Sequence, residues 1–293
     1  MRMSIVCIAI VLGISSCKKE DSPTEVPQIN FIFKFDSTQI RLNGQGTAAA
    51  MPSGHQGQSP RFNSMSAHYL ELAPTATTLP GSGQVLYKAP EVNTGGSNAI
   101  DFSRSKFAGN NQVFLSVPIN SLAVGSYNYL RVSLAYQNYN VWLRTTAGAQ
   151  SFNLDATVAS FIGFNTFINT HKIKDSVVSV NANKKQGYWA FETSLPGLGG
   201  FVSQGQAPPG ATTVPNPLFA SSPIPAGSCL VTGQFASPLI ITGAETADIN
   251  IIVSLSTNKS FEWISADGNS TYDPQAGDQV IDMGIRGMIP TKQ

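Results

Sequence analysis

The chain is short of the residues that most often carry chemistry or covalent bracing. Its 293 residues include three cysteines and three histidines, and 12% are charged. The histidines, at 55, 68 and 171, lie far apart and lack the spacing of metal ligands. The G-x-S-x-G elbow, the H-E-x-x-H zinc helix and the phosphate-cradling P-loop are all missing. Lys18-Lys19 and Lys184-Lys185 are the densest basic groups. A phosphate-backbone binder needs clustered cations, so nucleic acid is not an expected partner. Heptads and long helical stripes are absent as well, which argues against a helical bundle.

What is present begins at the N-terminus. Arg2 supplies a positive charge, and Ile5 to Ile14 is an unbroken apolar or small stretch of ten residues. At about 1.5 Å per residue such a helix crosses roughly half of a ~30 Å hydrocarbon core, so it reads as a signal-peptide core and not a span. Ile14-Ser15-Ser16-Cys17 follows, and this run resembles the lipobox of bacterial lipoproteins. The resemblance implies removal of residues 1–16 and acylation of Cys17, by a diacylglyceryl thioether and an N-acyl chain such as palmitate. Several acyl chains anchor firmly, because each buried methylene adds about 0.8 kcal/mol. Residues 17–27 then form a tether, opening with the polar run Lys18 to Pro23. That charged run resembles the surface-export signals of Bacteroidota lipoproteins. It implies an outer-membrane, lipid-anchored protein exposed at the cell surface, with the periplasmic face as the alternative.

Processing would leave 277 residues carrying 17 basic and 17 acidic side chains, since only Arg2 departs from the 18 and 17 of the whole chain. Cys7 would leave with the signal peptide and Cys17 would be acylated. Cys229, followed by Leu230 and Val231, would stand alone as a small buried hydrophobe. With no disulfide, stability has to come from a sizeable core.

Period-two alternation recurs along the body. Ile29, Phe31, Phe33 and Phe35 share one face, as do Leu130, Val132, Leu134 and Tyr136, and again Ile249, Ile251, Val253 and Leu255. Side chains two apart on a strand point the same way, so each run offers one face to a core. Turn residues such as Pro80 to Gly83, Gly95-Gly96 and Gly109-Asn110 punctuate the runs. The expectation is an all-β fold, an antiparallel β-sandwich or open barrel with long Gly/Pro-rich loops, over residues 28–293. Residues 155–168 could form a helical face capped by Asp155, but Gly163 and the β-formers favour strand. Thirteen of the 33 residues from 195 to 227 are Gly or Pro and none is charged, so no regular element is expected there. That stretch is either a long surface loop or a division between two parts of the chain.

Five of the 17 acids crowd into Glu262 to Asp282. Mutual repulsion there makes a hard cation with oxygen ligands a natural partner. An EF-hand-like register starting at Asp267 places Asp267, Asn269, Thr271, Asp273, Gln275 and Asp278 at ligand positions, each with side-chain oxygen. Tyr272 then stands where the pattern wants glycine. A register from Ser265 keeps Asp267, Asn269 and Asp273 but puts Ala276 at the twelfth position. The segment resembles degenerate calcium loops between strands of bacterial surface proteins, which implies a brace and not a catalyst. The alternative is a metal-free turn built from residues that favour turns anyway.

His68 shares a face with Leu70 and Leu72 and reads as a half-buried structural histidine. Phe62 to Leu72, with the strand start Gly125-Ser126-Tyr127, loosely resembles β-sandwich copper-binding proteins associated with methanobactin. No ligand set carries over from them, and copper at His68 and His171 is the least favoured reading. Six acids lie between residues 37 and 200, a thin supply for a glycosidase pair. Trp142, Trp189, Trp263 and Tyr127, Tyr129, Tyr136 and Tyr139 could stack on sugar rings, though strand aromatics are more often core. The expected function is a non-catalytic envelope lipoprotein, a binding or structural module braced by calcium. Carbohydrate or an envelope protein is its expected partner. A carbohydrate-active enzyme is the competing class, and a copper-binding protein the third.

Overall fold

A computed structural model describes residues 26–197, 199–207, 223–225 and 228–293. The expected signal peptide, Cys17 and most of the tether lie outside the described residues. The regular structure of the described chain is almost entirely strand. β1 (Gln28–Asp36), β2 (His55–Gln58), β3 (Arg61–Ala73), β4 (Gln84–Lys88), β5 (Glu91–Val92) and β6 (Ala99–Asp101) come first. They are followed by β7 (Gln112–Pro118), β8 (Gly125–Ala147), β9 (Gln150–Phe161), β10 (Asn165–Lys172), β11 (Val177–Lys185) and β12 (Tyr188–Leu195). The last six are β13 (Gly199–Gln206), β14 (Cys229–Ile241), β15 (Ile249–Ser256), β16 (Phe261–Ile264), β17 (Gln279–Asp282) and β18 (Met288–Lys292).

These strands form an all-β architecture of four sheets. The largest runs β13-β12-β9-β8-β3-β4, with β14 also on β8. The others run β18-β15-β1-β7, β11-β10-β6-β5 and β17-β16-β2. Pairing is mostly antiparallel, as expected, but β1 runs parallel to β15 and β10 parallel to β6. β1 and β15 are more than 200 residues apart, which leaves ample chain for the crossover that parallel neighbours need.

β8 is the axis of the molecule. Its 23 residues would reach about 75 Å if straight. The β3–β8 ladder breaks register between Phe62 and Ser64, and on both sides of Ala67, and such bulges bend a sheet. The curled strand consequently serves three large cores, and Ala135 joins a smaller cluster with Ala89 and Ile100. Leu130, Val132 and Leu134 pack with Ile29, Phe31, Phe33, Ile251 and Val253 in the first. Tyr136 packs with Phe161, Ile168 and Tyr188 in the second. Tyr139, Val141 and Leu143 pack with Leu154, Phe261 and Trp263 in the third. The alternating runs read from the sequence are buried as that pattern requires, and residues 155–168 are strand on both sides of Gly163. The opposite face of β8 is covered too, so Arg131 and Ser133 are 2% and 0% exposed.

The Gly/Pro-rich stretch departs from expectation. Gly199–Gln206 inside it pairs with β12 over eight residues. Glycine weakens a strand without forbidding it, and Pro196 and Gly197 fall in the turn between the two strands. The remainder of 207–227 is described only at residues 207 and 223–225. β12 before it and β14 after it belong to the same sheet.

Candidate functional site

Among the described residues the largest sheet leaves one face partly uncovered where β12 and β13 extend past the third core. Along β12, Tyr188 and Ala190 face the second core, so Trp189 and Phe191 point the other way. Phe201, Ser203 and Gly205 pair with Thr193, Phe191 and Trp189 and share that face. Val141, Leu143 and Val158 continue it, while Phe261, Tyr272, Pro274, Val280 and Met283 form the facing wall. The result is a groove of about 460 Å³, within the range of small-ligand sites.

Among the described residues the groove holds no charged side chain, and Ser203, Gln206 and the Tyr272 hydroxyl supply its polarity. Burial, with Asp278 and Asp273 nearby, pushes the Tyr272 hydroxyl up to about 12, so it is a neutral phenol at pH 7. Its ring packs edge-on to Phe261 at 5.1 Å and to Trp263 at 5.6 Å. Phe191 and Phe201 meet edge-on at 6.3 Å, and Phe201 is 52% exposed. Gly205 is required here: a Cβ at this position would lie 2.6 Å from the Trp189 indole, which rests across the strand.

The acidic stretch forms a loop beside this groove. Asp267 Oδ1 accepts from the Asn269 N–H at 3.1 Å, Asn269 Oδ1 from Thr271 N–H at 2.7 Å, and Asp273 Oδ1 from Gln275 N–H at 3.0 Å. Each is an Asx turn reaching two residues ahead. The i, i+2 spacing that matched a calcium register therefore also matches a ladder of turns. Asp278 closes the loop by accepting from Ala266 N–H at 2.8 Å and Asp273 N–H at 2.7 Å. Gln275 Oε1 points away, to the Thr146 N–H at 2.6 Å. Among the described residues no three His, Cys, Asp or Glu side chains gather as metal ligands. Hydrogen bonds from Asn269 and Ser265 hold the Asp267 carboxyl below the usual carboxylate range.

The two ends of the acidic stretch belong to a separate, buried network. Glu262 on β16 is 2% exposed and pairs with Arg41, with Arg286 at 2.5 Å and with His55 Nδ1 at 3.1 Å. Arg286 also bonds Asp282 at 3.0 Å, and Arg41 donates to the carbonyls of Asn258 and Lys259 at 2.9 and 2.8 Å. Burial alone would raise the Glu262 carboxyl. Arg286, with hydrogen bonds from Arg41 and His55, outweighs it and holds the group below its usual value. These charges clamp the β17-β16-β2 sheet to the loop that carries Arg41.

His68 is fully buried and not half-buried, because the opposite face of its sheet is covered as well. Its Nε2 bonds Glu91 at 2.9 Å, and its ring packs on Phe164. The histidine bond outweighs burial and takes the Glu91 carboxyl down to about 2. His171 is 3% exposed between Phe161 and Tyr188, with both ring nitrogens unpartnered. The two histidines thus sit in different surroundings. Cys229 is the small buried hydrophobe the sequence implies, its thiol pushed up to about 12 by burial. The mid-chain acids are engaged singly: Glu71 near Arg131, Asp155 with Arg61, and Glu192 with the backbone of residues 174–176. Of the proposed sugar-stacking aromatics, Trp263, Tyr127, Tyr136 and Tyr139 are core, whereas Trp142 is 53% exposed. Phe191, Phe201 and Tyr272 carry no local site signal in the sequence. An uncharged stretch with one phenylalanine reads as loop until its pairing with β12 is known. No protein-family model, curated protein or solved structure matches the chain.

Proposed function

We propose that this protein is a non-catalytic binding module of the cell envelope, anchored through acylated Cys17, and that the groove is its binding site. The observation that carries the binding reading is an uncharged, aromatic-walled groove left open at the end of a packed core. Its one titratable lining group is a neutral phenol, which suits holding a ligand more than transforming one. With so few polar groups it favours a neutral, apolar ligand over a hydroxyl-rich sugar. The anchor rests on the lipobox resemblance and the tether.

The three tryptophans make a direct test possible. In 5-fluorotryptophan-labelled protein, a neutral aromatic such as 2-naphthol should move the Trp189 fluorine resonance and leave that of buried Trp263 in place. Phe201→Ala should weaken the effect roughly tenfold by removing apolar contact. A Trp189 signal indifferent to apolar compounds would sink the groove as a site.

Carbohydrate has a separate place to bind. Trp142 stands exposed with the Arg61 guanidinium 5.6 Å from its ring, and Arg61 pairs with Asp155 at 2.6 Å. An exposed indole with a guanidinium–carboxylate pair beside it suits a sugar face. Oligosaccharides that moved the Trp142 resonance alone would favour that reading.

Calcium enters as a brace for the acidic loop. A carboxylate oxygen has two lone pairs, so Asp267 and Asp273 can keep their turn hydrogen bonds and still take a cation. Calcium should then raise the melting temperature over that in chelator by several degrees. Equal values in both would leave the Asx turns as the loop's own support.

A further inference from the structure

Among the described residues the groove's outer wall is also a sheet edge, and the two features lie on one strand. Among the described strands β13 pairs with β12 alone, over eight pairs with no register shift. Edge strands are ordinarily protected from adding further strands by charge, proline, bulges or brevity. The other edges among the described strands carry such devices. β4 is five residues long and ends in Lys88, β18 contains Pro290 and Lys292, and β11 ends in Lys184 and Lys185. β7 ends in Pro118, β5 has two residues, β2 and β17 have four each, and β14, which pairs with β8 alone, contains Pro238 and a register shift. β13, with the sequence GGFVSQGQ, has no charge, no proline and no bulge, and Phe201 and Val202 are exposed on it.

We infer, resting on the groove being a binding site, that β13 takes an extended, uncharged stretch of another polypeptide as an added edge strand. Main-chain pairing would supply affinity, and the groove would receive alternate side chains. The geometry carries both halves. A strand added to β13 runs about 4.8 Å from it, with every second side chain on the face of Phe201, Ser203 and Gly205. Opposite Ser203 and Gly205 there is little side chain on β13 to obstruct an incoming group. Such a group reaches across to Trp189 and Phe191, and the uncharged lining selects apolar or aromatic residues at those positions.

The test uses the full-length chain with fluorinated tryptophans. The probe is a capped octapeptide in which Phe or Val alternates with Thr or Gln. Two twins carry N-methyl groups on the odd or on the even residues. N-methylation removes main-chain donors and leaves the side chains unchanged, and only one set of donors can face β13. The parent peptide should move the Trp189 resonance, one twin should lose at least tenfold in affinity, and the other should bind as the parent does. Equal binding of all three, or failure of the parent, overturns the inference. If 2-naphthol still moves Trp189 when the peptide fails, the groove reading survives without it, and if neither acts both fall. Sedimentation showing a dimer that the peptide cannot dissociate would make the partner a second copy of this chain and overturn the peptide assignment.

Discussion

Glu262→Gln is expected to lower stability by about 3–5 kcal/mol, the usual cost of removing one partner from a buried ion pair. Two guanidiniums, Arg41 and Arg286, share that carboxylate in a place where the glutamate is 2% and Arg286 4% exposed. Without it Arg286 keeps Asp282 at 3.0 Å, whereas Arg41 is left among the described residues with the carbonyls of Asn258 and Lys259. At roughly 2–4 °C per kcal/mol for a chain of this size, the melting temperature should fall by about 6–20 °C. The double variant Glu262→Leu with Arg41→Met should lose less than the single one, because an apolar pair leaves no stranded charge. A single variant that melts within 2 °C of the parent would show the network to be solvated. The sign of the acid response follows from the lowered carboxyl pKa. The Glu262 contribution is full above the ordinary carboxylate range and is lost as pH falls through the depressed value.

His171 gives the second large effect, at a different pH. Desolvation lowers its pKa from 6.5 to about 4, with no partner on either ring nitrogen. The unfolded chain therefore takes up a proton where the folded chain does not. Stability from this residue is full above 6.5 and declines as pH falls toward 4, by about 3 kcal/mol in all. His171→Phe, which suits the surrounding Phe161 and Tyr188, should abolish that part of the slope and leave the variant the more stable protein at pH 4.5. Urea unfolding of both chains at pH 7 and pH 4.5 measures it. Parallel losses in the two would place the acid sensitivity elsewhere.

How much of this was written in the sequence depends on whether a pattern is local. Phe31 and Phe33, or Ile251 and Val253, are buried because alternation is a property of a single strand. That pattern could not say that both faces of β8 are covered, which is why His68 and Arg131 lie deeper than one-sided alternation implies. The acidic loop was legible as a feature, but its spacing serves two physical causes, Asx turns and cation ligation. The groove was not legible, because its walls come from β8, β12, β13 and β16, which only tertiary pairing brings together. β13 itself reads as loop from composition, and becomes strand because β12 offers it a partner across a tight turn.

The long central strand has a bearing on how the protein would fail. Tension or thermal loosening cannot melt one region of β8 in isolation, since a wall shared by three hydrophobic interiors transmits its loss to all of them. A protease that nicked the chain between β13 and β14 would leave both products stitched into the same sheet. The damaged molecule would stay assembled until denaturant separated its pieces.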